Sequence, residues 1–502
     1  VNAMTSATGQ GISERVVYAS RCGARLDSNV WTGGGTDDTA ALQAVLDRAP
    51  QMGHLHLVID GAALVRGLDV HSNTTIECLN PACGLYLADG SDRYLVRNAH
   101  PSRDARLDRN ITLLGGTYNG NCRNQVHHTP DNTATTILGF FGVECVTIRD
   151  ITLRDQRTYA VHLTNWRRVT MQSIAIDLPA RMQCENQDGI HVQGPGEFLV
   201  LRDIQGCAWD DFIAINADDG NCDLDENGTV VWNNLAGPNV SVGPVTDVLI
   251  DGVMVEDAAQ CIRLLSRGSR LDRVIVRNVT GTYRSFGVWI NPWQELGGNF
   301  GSLVFDNIDL RHGPANYDYT PPFLFSVGGR IDALSLRNIT HLHPTDARPV
   351  VRIDANGDIG SLTVDGLQII EVDERAADAR YLQVGGRIDE LTLRDVSVRR
   401  GPGTLVDGCL VEIGGPSSRP SYWGPETAVA PREYEARVGR LCLHQVCAER
   451  LNHLVTLQSG ALDGLYASSI VCSELAGAVL AHRGGSLGEV HVDALHGAAP
   501  VD

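Results

Sequence analysis

The chain has 502 residues, 43% hydrophobic and 20% charged, an ordinary globular balance that excludes disorder as the default and allows a sizeable core. Its formal net charge of −19 leaves no basic stripe for a phosphate backbone, so nucleic acid is not an expected partner. All 41 basic residues are arginine, which removes P-loop, Schiff-base and lysine-base chemistry.

The first ten residues, VNAMTSATGQ, read as a short extension around Met4, and residues 1–17 as an N-terminal tail. No apolar run follows that suits a signal peptide or a membrane span, so no membrane partner and a cytoplasmic location are expected, or secretion if a leader has been removed. Residues 36–49, within TGGGTDDTAALQAVLDRAP, read as a glycine turn followed by an amphipathic helix with Leu42, Val45 and Leu46 on one side. Phosphate is repelled there by Asp37 and Asp38. The helix instead answers the need to cover the open end of a stack of strands.

From about residue 110 onward one pattern recurs: apolar-x-apolar, two small or polar residues, then another apolar position. It stands in CVTIRDITL at Val146, RVTMQSIAI at Val169, DVLIDGVMV at Val248, SLVFDNIDL at Leu303 and ELTLRDVSV at Leu391. The alternation marks strands, and the mostly constant interval, 23 residues from Val146 to Val169, marks a solenoid whose units bury their apolar faces against each other. Leucine-rich repeats are disfavoured, because no unit carries their helix and asparagine signature. The expected fold is therefore all-β, a right-handed parallel β-helix with a short N-terminal capping helix. It forms one domain over residues 1–502, with catalytic coils at 110–310, further coils at 311–502 and an irregular insertion at 415–437. That insertion reads as an oligomer contact or a lid, and self-association is left open. The 13 cysteines are an odd number without CxxC pairs, so neither a zinc site nor a disulfide scaffold is indicated.

A second strand follows the first in each coil. Ile204 to Ile213, Val253 to Ile262 and Val279 to Val288 are all nine residues apart, which puts FIAI, CIRLL and GVWIN on one level. His162, His191, Ala214, Arg263 and Trp289 then share one outward column. Two residues before the first inward aliphatic stand Asp188, in NQDGIHV, and Asp211, in WDDFIAI, with Asp210 beside it. A coil bend that aims these acids outward brings three carboxylates of adjacent rungs together. Paired carboxylates suit glycosidic cleavage, since one stays protonated to serve the leaving oxygen while another activates water or attacks the sugar. Taken singly, Asp-rich corners make turns. Three acids beside His, Arg and Trp in one column favour a site. Trp209 and Trp289 are candidates to stack on sugar rings, and Arg263 to hold a hydroxyl or carboxylate.

GGTYNG at Gly115, YAVHL at Tyr159, NQDGI at Asn186 and DDFIAI at Asp210, in this order, resemble the polygalacturonase family of glycoside hydrolases, family 28, and its pectin-lyase-like β-helix relatives. The likeness covers roughly residues 18–310. It implies that Asp210 is the general acid, that Asp188 and Asp211 position the water of an inverting hydrolysis, and that Asn186 supports them. Stacked strands alone favour the retaining separation of about 5 Å, so inversion rests on the resemblance. The family's Gly-His-Gly is replaced by GPN, with Pro238 for the histidine. Its Arg-Ile-Lys is replaced by RLL, keeping Arg263 and losing the lysine to Leu265. Those basic groups grip galacturonate in the family, so the expected carbohydrate is not plain polygalacturonate.

Two rivals stand beside this reading. A calcium-assisted polysaccharide lyase would use the same acids for the metal and Arg263 as base, and a non-catalytic glycan-binding fibre module would bind without turnover. No metal and no obligatory cofactor are expected for the hydrolase. DLDENGTVVWNN from Asp223 reads as an acidic surface loop, not a calcium loop, because Asn234 stands where a bidentate Glu belongs. That loop and NPWQELGGNF, with Trp293 and Glu295 as further substrate-binding candidates, would wall the cleft and favour exo action.

Overall fold

The repeating pattern becomes a right-handed parallel β-helix whose successive coils stack in register into one long sheet. The computed structural model describes residues 14–127, 135–179, 186–218, 222–224, 230–232, 237–292, 297–313, 323–342, 349–371, 380–400, 408–415, 435–473, 475, 477–496 and 499–501. Each inward position forms a column through the core. Ile148, Met171, Leu201, Ile250, Val276 and Phe305 face one another rung by rung and are fully buried. Burial of such a side chain stabilises by about 1.5–3 kcal/mol. The repetition of that contribution holds a fold with only one α-helix among the described residues.

The two polar residues inside each repeat now have a physical cause. The second takes the left-handed conformation, as in Asp150, Ser173, Asp203, Asn278, Asn307 and Asn338, and turns the strand through a one-residue corner. Asn and Asp reach that region more readily than other side chains. Their side chains also climb the corner as a ladder. Asn278 Nδ2 donates to Asp251 Oδ1 at 2.7 Å, and Asn307 Nδ2 to Asn278 Oδ1 at 2.8 Å. A different corner needs glycine. At Gly281, with φ at +132°, a Cβ would stand 1.9 Å from the carbonyl oxygen of Val255 in the preceding coil.

The coils begin earlier than the sequence pattern indicates. Glu14–Tyr18, which overlaps the end of the stretch read as a tail, is a strand paired with His54–Ile59, which in turn pairs with Thr74–Cys78. Strands of three to five residues between Ala62 and Asn98 are too short to display a sustained alternation. The helix is Thr39–Leu46, shorter than 36–49, with Leu42, Val45 and Leu46 buried. Asp38 does not cap it. Its carboxylate accepts the backbone N–H groups of Arg25 and Leu26 at 2.6 and 2.9 Å and so ties the first turn of the chain to the helix start.

Most of the 415–437 segment, residues 416–434, lies outside the described residues, and a strand resumes at Arg437–Glu449. At the stretch read as an acidic loop, Cys222–Leu224 pairs antiparallel with Val230–Trp232. Among the described residues no helix is long and apolar enough to cross a membrane.

Candidate active site

The nine-residue count is reproduced in the register. Ile204, Val253 and Val279 face one another, and so do Ile213, Ile262 and Val288. The outward column runs His162, His191, Ala214, Arg263, Trp289. These side chains leave the coil on its outer side but are not surface residues. His162, His191, Arg263 and Trp289 are all buried. Two small apolar clusters outside the coil contribute to this, Tyr94, Phe141, Tyr159 and Val240 on the N-terminal side and Phe286, Trp289 and Phe323 on the C-terminal side.

Between those clusters Asp188, Asp210 and Asp211 converge, with one carboxylate oxygen from each lying within 4.8 Å of the others. Asp211 opens the strand Asp211–Asn216, and Asp188 precedes the strand Ile190–Gln193. The backbone holds them there. Gly189 N–H donates to Asp211 O at 2.9 Å, and Ala160 N–H to Asp188 O at 3.1 Å. The inward direction that strict alternation gives these acids is thus avoided by the strands starting only at, or just after, them.

Each acid has its own attendants. Nδ1 of His191 donates to Asp188 Oδ2 at 2.7 Å, and Asn216 Nδ2 donates to His191 Nε2 at 3.3 Å, an arrangement that suits one neutral tautomer of the ring. Tyr159 stacks on that imidazole with centroids 4.1 Å apart. The Asn186 backbone N–H donates to Asp210 Oδ2 at 3.1 Å. The Gln260 amide, turned so that its nitrogen faces the acids, donates to Asp211 Oδ1 at 2.6 Å and to Asp210 Oδ1 at 3.0 Å. Arg263 Nε stands 3.9 Å from Asp211 Oδ2, too long for a direct hydrogen bond but close enough for charge attraction.

The electrostatics follow from this crowding. Burial first, and the Asp188 charge second, push the Asp210 carboxyl up to about 7, against the Asn186 N–H and the Arg263 and Arg284 guanidiniums. Burial also raises Asp211 well above the usual carboxylate range, with Arg263 opposing and Asp210 and Asp188 reinforcing. Like charges this close in a dry site do not all ionise, so the group retains a proton near neutrality.

Two tryptophans are placed differently from the expectation of open sugar platforms. The Arg263 guanidinium lies 4.0 Å from the Trp289 ring centroid, and Trp289 is buried against Phe286. Trp209 is half-buried, with Arg284 at 4.2 Å over its ring. His162 is fully buried, its Nε2 at 3.0 Å from Gln193 Oε1 and its Nδ1 at 3.4 Å from the Tyr94 hydroxyl. Trp293 and Glu295 lie outside the described residues.

Gln260 and Arg284 were not anticipated. Gln260 faces Asp211 in register, two residues before Ile262, so the count that found Asp188 and Asp211 reaches it as well. Attention to acids alone passed over an amide. Arg284 sits between strands and carries no periodic signal. It donates to the backbone oxygens of Trp209 and Ala208 and pairs with Asp257 at 3.1 Å, bracing the segment that leads into Asp210.

No family model matches the chain. In sequence it is similar to a probable polygalacturonase of Arabidopsis thaliana, 26% identical over 261 residues. The sequence likeness is thus to a polygalacturonase. The match takes in 47% of this chain and 50% of the plant protein, so the chain spans about half the length of the curated relative it matches. Among solved structures, a family 28 exopolygalacturonase of Yersinia enterocolitica overlays with a TM-score of 0.47 at 14% identity, covering 96% of this chain and 78% of that one. An exopolygalacturonase of Thermotoga maritima gives 0.46 at 12%, covering 79% and 90%. The Streptococcus pneumoniae surface adhesin PfbA gives 0.45 at 11%, covering 95% and 100%.

Proposed function

We propose that the chain is a glycoside hydrolase that cleaves an oligo- or polysaccharide by carboxylate acid/base catalysis. The observation that carries this is the convergence of three acids within 4.8 Å, one of them, Asp210, held up to about 7. Asp210 is also the least buried of the three, at 9% exposure against 1% for Asp188, so it is the one best placed to meet an incoming glycosidic oxygen.

In this reading Asp210 gives its proton to the glycosidic oxygen as the bond from that oxygen to the anomeric carbon breaks. A water attacks the same carbon and passes its proton to Asp188, whose carboxylate His191 holds in place. Asp211 shares the positioning of that water, and Asn186 and Gln260 orient Asp210. The expected outcome is inversion, by the likeness to polygalacturonases, although in a site of two acids so short a separation would suit retention. Arg263 stands ready to take a hydroxyl or carboxylate of the sugar, and exo action remains part of the proposal. The absence of a lysine at Leu265 supports a substrate other than plain polygalacturonate.

Digestion of a glycan panel, with the first-formed anomer followed by NMR, tests this directly. Turnover by the wild-type chain, and its loss in Asp210→Asn, is the expected result.

A calcium-assisted lyase is the second reading, because the same three carboxylates could in geometry hold a cation. The donors that Gln260 and Arg263 turn toward those oxygens weigh against it. Activity that dies with chelator and yields an unsaturated product absorbing in the ultraviolet would replace the hydrolase by the lyase. Sugar binding without turnover in the wild-type chain, retained in Asp210→Asn, would leave a glycan-binding module.

A further inference from the structure

The column that carries Arg263 and Trp289 does not end at the acids. It continues in register through Ser326, Arg352, Gln383, Glu412 and Thr456. On a solenoid flank such positions ordinarily face water, yet Ser326, Arg352, Glu412 and Thr456 are buried, while Gln383 and its neighbour Arg380 are half-buried and form the open side of the row.

Two ion pairs occupy it. Arg352 Nε lies 2.8 Å from Asp354 Oδ1, and Arg380 Nε donates to Glu412 Oε1 at 2.6 Å. Gln383 Nε2 donates to Glu412 Oε2 at 2.9 Å, and Ser326 Oγ lies 3.5 Å from Asp354 Oδ2. The Arg352 guanidinium rests 5.0 Å from the Phe323 ring centroid. Its two terminal nitrogens, Nη1 and Nη2, are buried and find no hydrogen-bond partner among the described residues. Buried donors left idle are costly, and a guanidinium edge is a rigid pair of them. Such an edge, half a column away from a carboxylate site and beside an aromatic ring, is complementary to an acceptor that arrives from outside.

We propose that this row is a sugar-binding subsite for an uncharged, hydroxyl-rich saccharide unit. The charge balance selects that class. Arg352 and Arg380 are already matched by Asp354 and Glu412, so a uronate carboxylate would add an unpaired charge to a buried place. A hydroxyl pair adds none. It accepts from Nη1 and Nη2 and donates to the acidic oxygens in return. From Arg263 to Arg352 the register passes through Trp289 and Ser326, three rungs, or about 14 Å at roughly 4.8 Å per rung. A sugar unit is about as long as a rung is high. A glycan seated at the acids and running along the axis therefore reaches Arg352 with its third or fourth unit. That alignment rests on the glycosidase reading. The binding of the sugar by the row does not.

The test is a titration of fluorescently tagged xylo-, galacto- and manno-oligosaccharides, disaccharides through hexasaccharides, into the full chain carrying Asp210→Asn, alone and with Arg352→Met or Gln383→Ala. The expected result is that at least one neutral hexasaccharide binds and is weakened about tenfold or more by each added change. Melting curves are taken in parallel, and Gln383→Ala, at the half-exposed mouth, guards against a folding defect in the Arg352 variant. Equal hexasaccharide affinity in all three proteins overturns the subsite, as does an absence of binding by every neutral oligosaccharide. Oligogalacturonides of the same lengths form a second arm, and a dependence on Arg352 for these alone overturns the charge argument. Loss of binding in the Arg352 variant, with no cleavage of any glycan by the wild-type chain, would leave the subsite standing and remove the hydrolase reading. Cleavage without that dependence would do the reverse.

Discussion

His191 and Asp188 are joined by a 2.7 Å contact from Nδ1 to Oδ2, three residues apart at the start of one short strand, with both side chains almost wholly out of solvent. The strand geometry places the ring above the carboxylate, and Tyr159, stacked on it from the preceding rung, leaves it little freedom. Hydrogen bonds to charged groups are worth about 1.5–3 kcal/mol. His191→Ala is therefore expected to lower kcat roughly tenfold to a hundredfold with KM changed much less, since the imidazole orients the acid and does not hold the sugar. Steady-state kinetics on the glycan identified by panel digestion measures the split.

Asp210 governs a pH dependence whose sign can be worked out. Its folded carboxyl titrates at about 7, whereas an unfolded aspartate titrates at about 4. Between those values the folded chain holds a proton that the unfolded chain has released, so its share of stability is complete below about pH 4 and is lost as the pH rises through 7. Turnover, which needs that proton, is expected to decline over the same upper limb. Asp210→Asn should abolish turnover and flatten the fall of Tm between acid and mildly alkaline buffer, which melting curves across pH will show. Asp188→Asn should also abolish turnover, with Tm within a few degrees of wild type.

Gln260 spans Asp210 and Asp211 with one amide nitrogen. Gln260→Leu removes donors without adding charge, and kcat is expected to fall on the order of tenfold. Gln260→Glu places a further acid against two already raised by burial. It is expected to cost more activity at pH 8 than at pH 5, because a proton shared with the new carboxyl relieves the repulsion only in acid. Equal losses for the Glu variant at the two pH values would mean that the amide's role is steric.

Gly281 is a corner residue that fixes the coil. A Cβ there meets the Val255 carbonyl oxygen at 1.9 Å, and φ is +132°. Gly281→Ala is expected to destabilise by about 2 kcal/mol or more. Thermal melting should show it, while kcat per folded molecule stays close to wild type.

The inward columns were legible because burial on one face imposes a period of two on each strand, and the fixed coil length repeats it. That periodicity gave the register from Ile204 to Ile213 and from Val253 to Ile262, and with it the level on which Asp188 and Asp211 stand. The coils before residue 110 escaped because strands as short as Leu68–Val70 hold too few positions to alternate. The cover over Trp209 and Trp289 was not legible because exposure of an outward position depends on what packs over the coil, and Arg263, Arg284 and the flanking aromatic cluster do so.

Sequence by itself thus determined the solenoid and its register, and picked out three acids on adjacent rungs, since each of these follows from local spacing against a buried face. Only the tertiary structure decided that the acids meet in a nearly dry place, that an amide and a histidine between them hold all three, and that Asp210 keeps its proton to about 7. Desolvation, and the hydrogen bonds from Asn186 and Gln260, depend on neighbours in other rungs, tens of residues away along the chain, and no pattern within a single repeat records them.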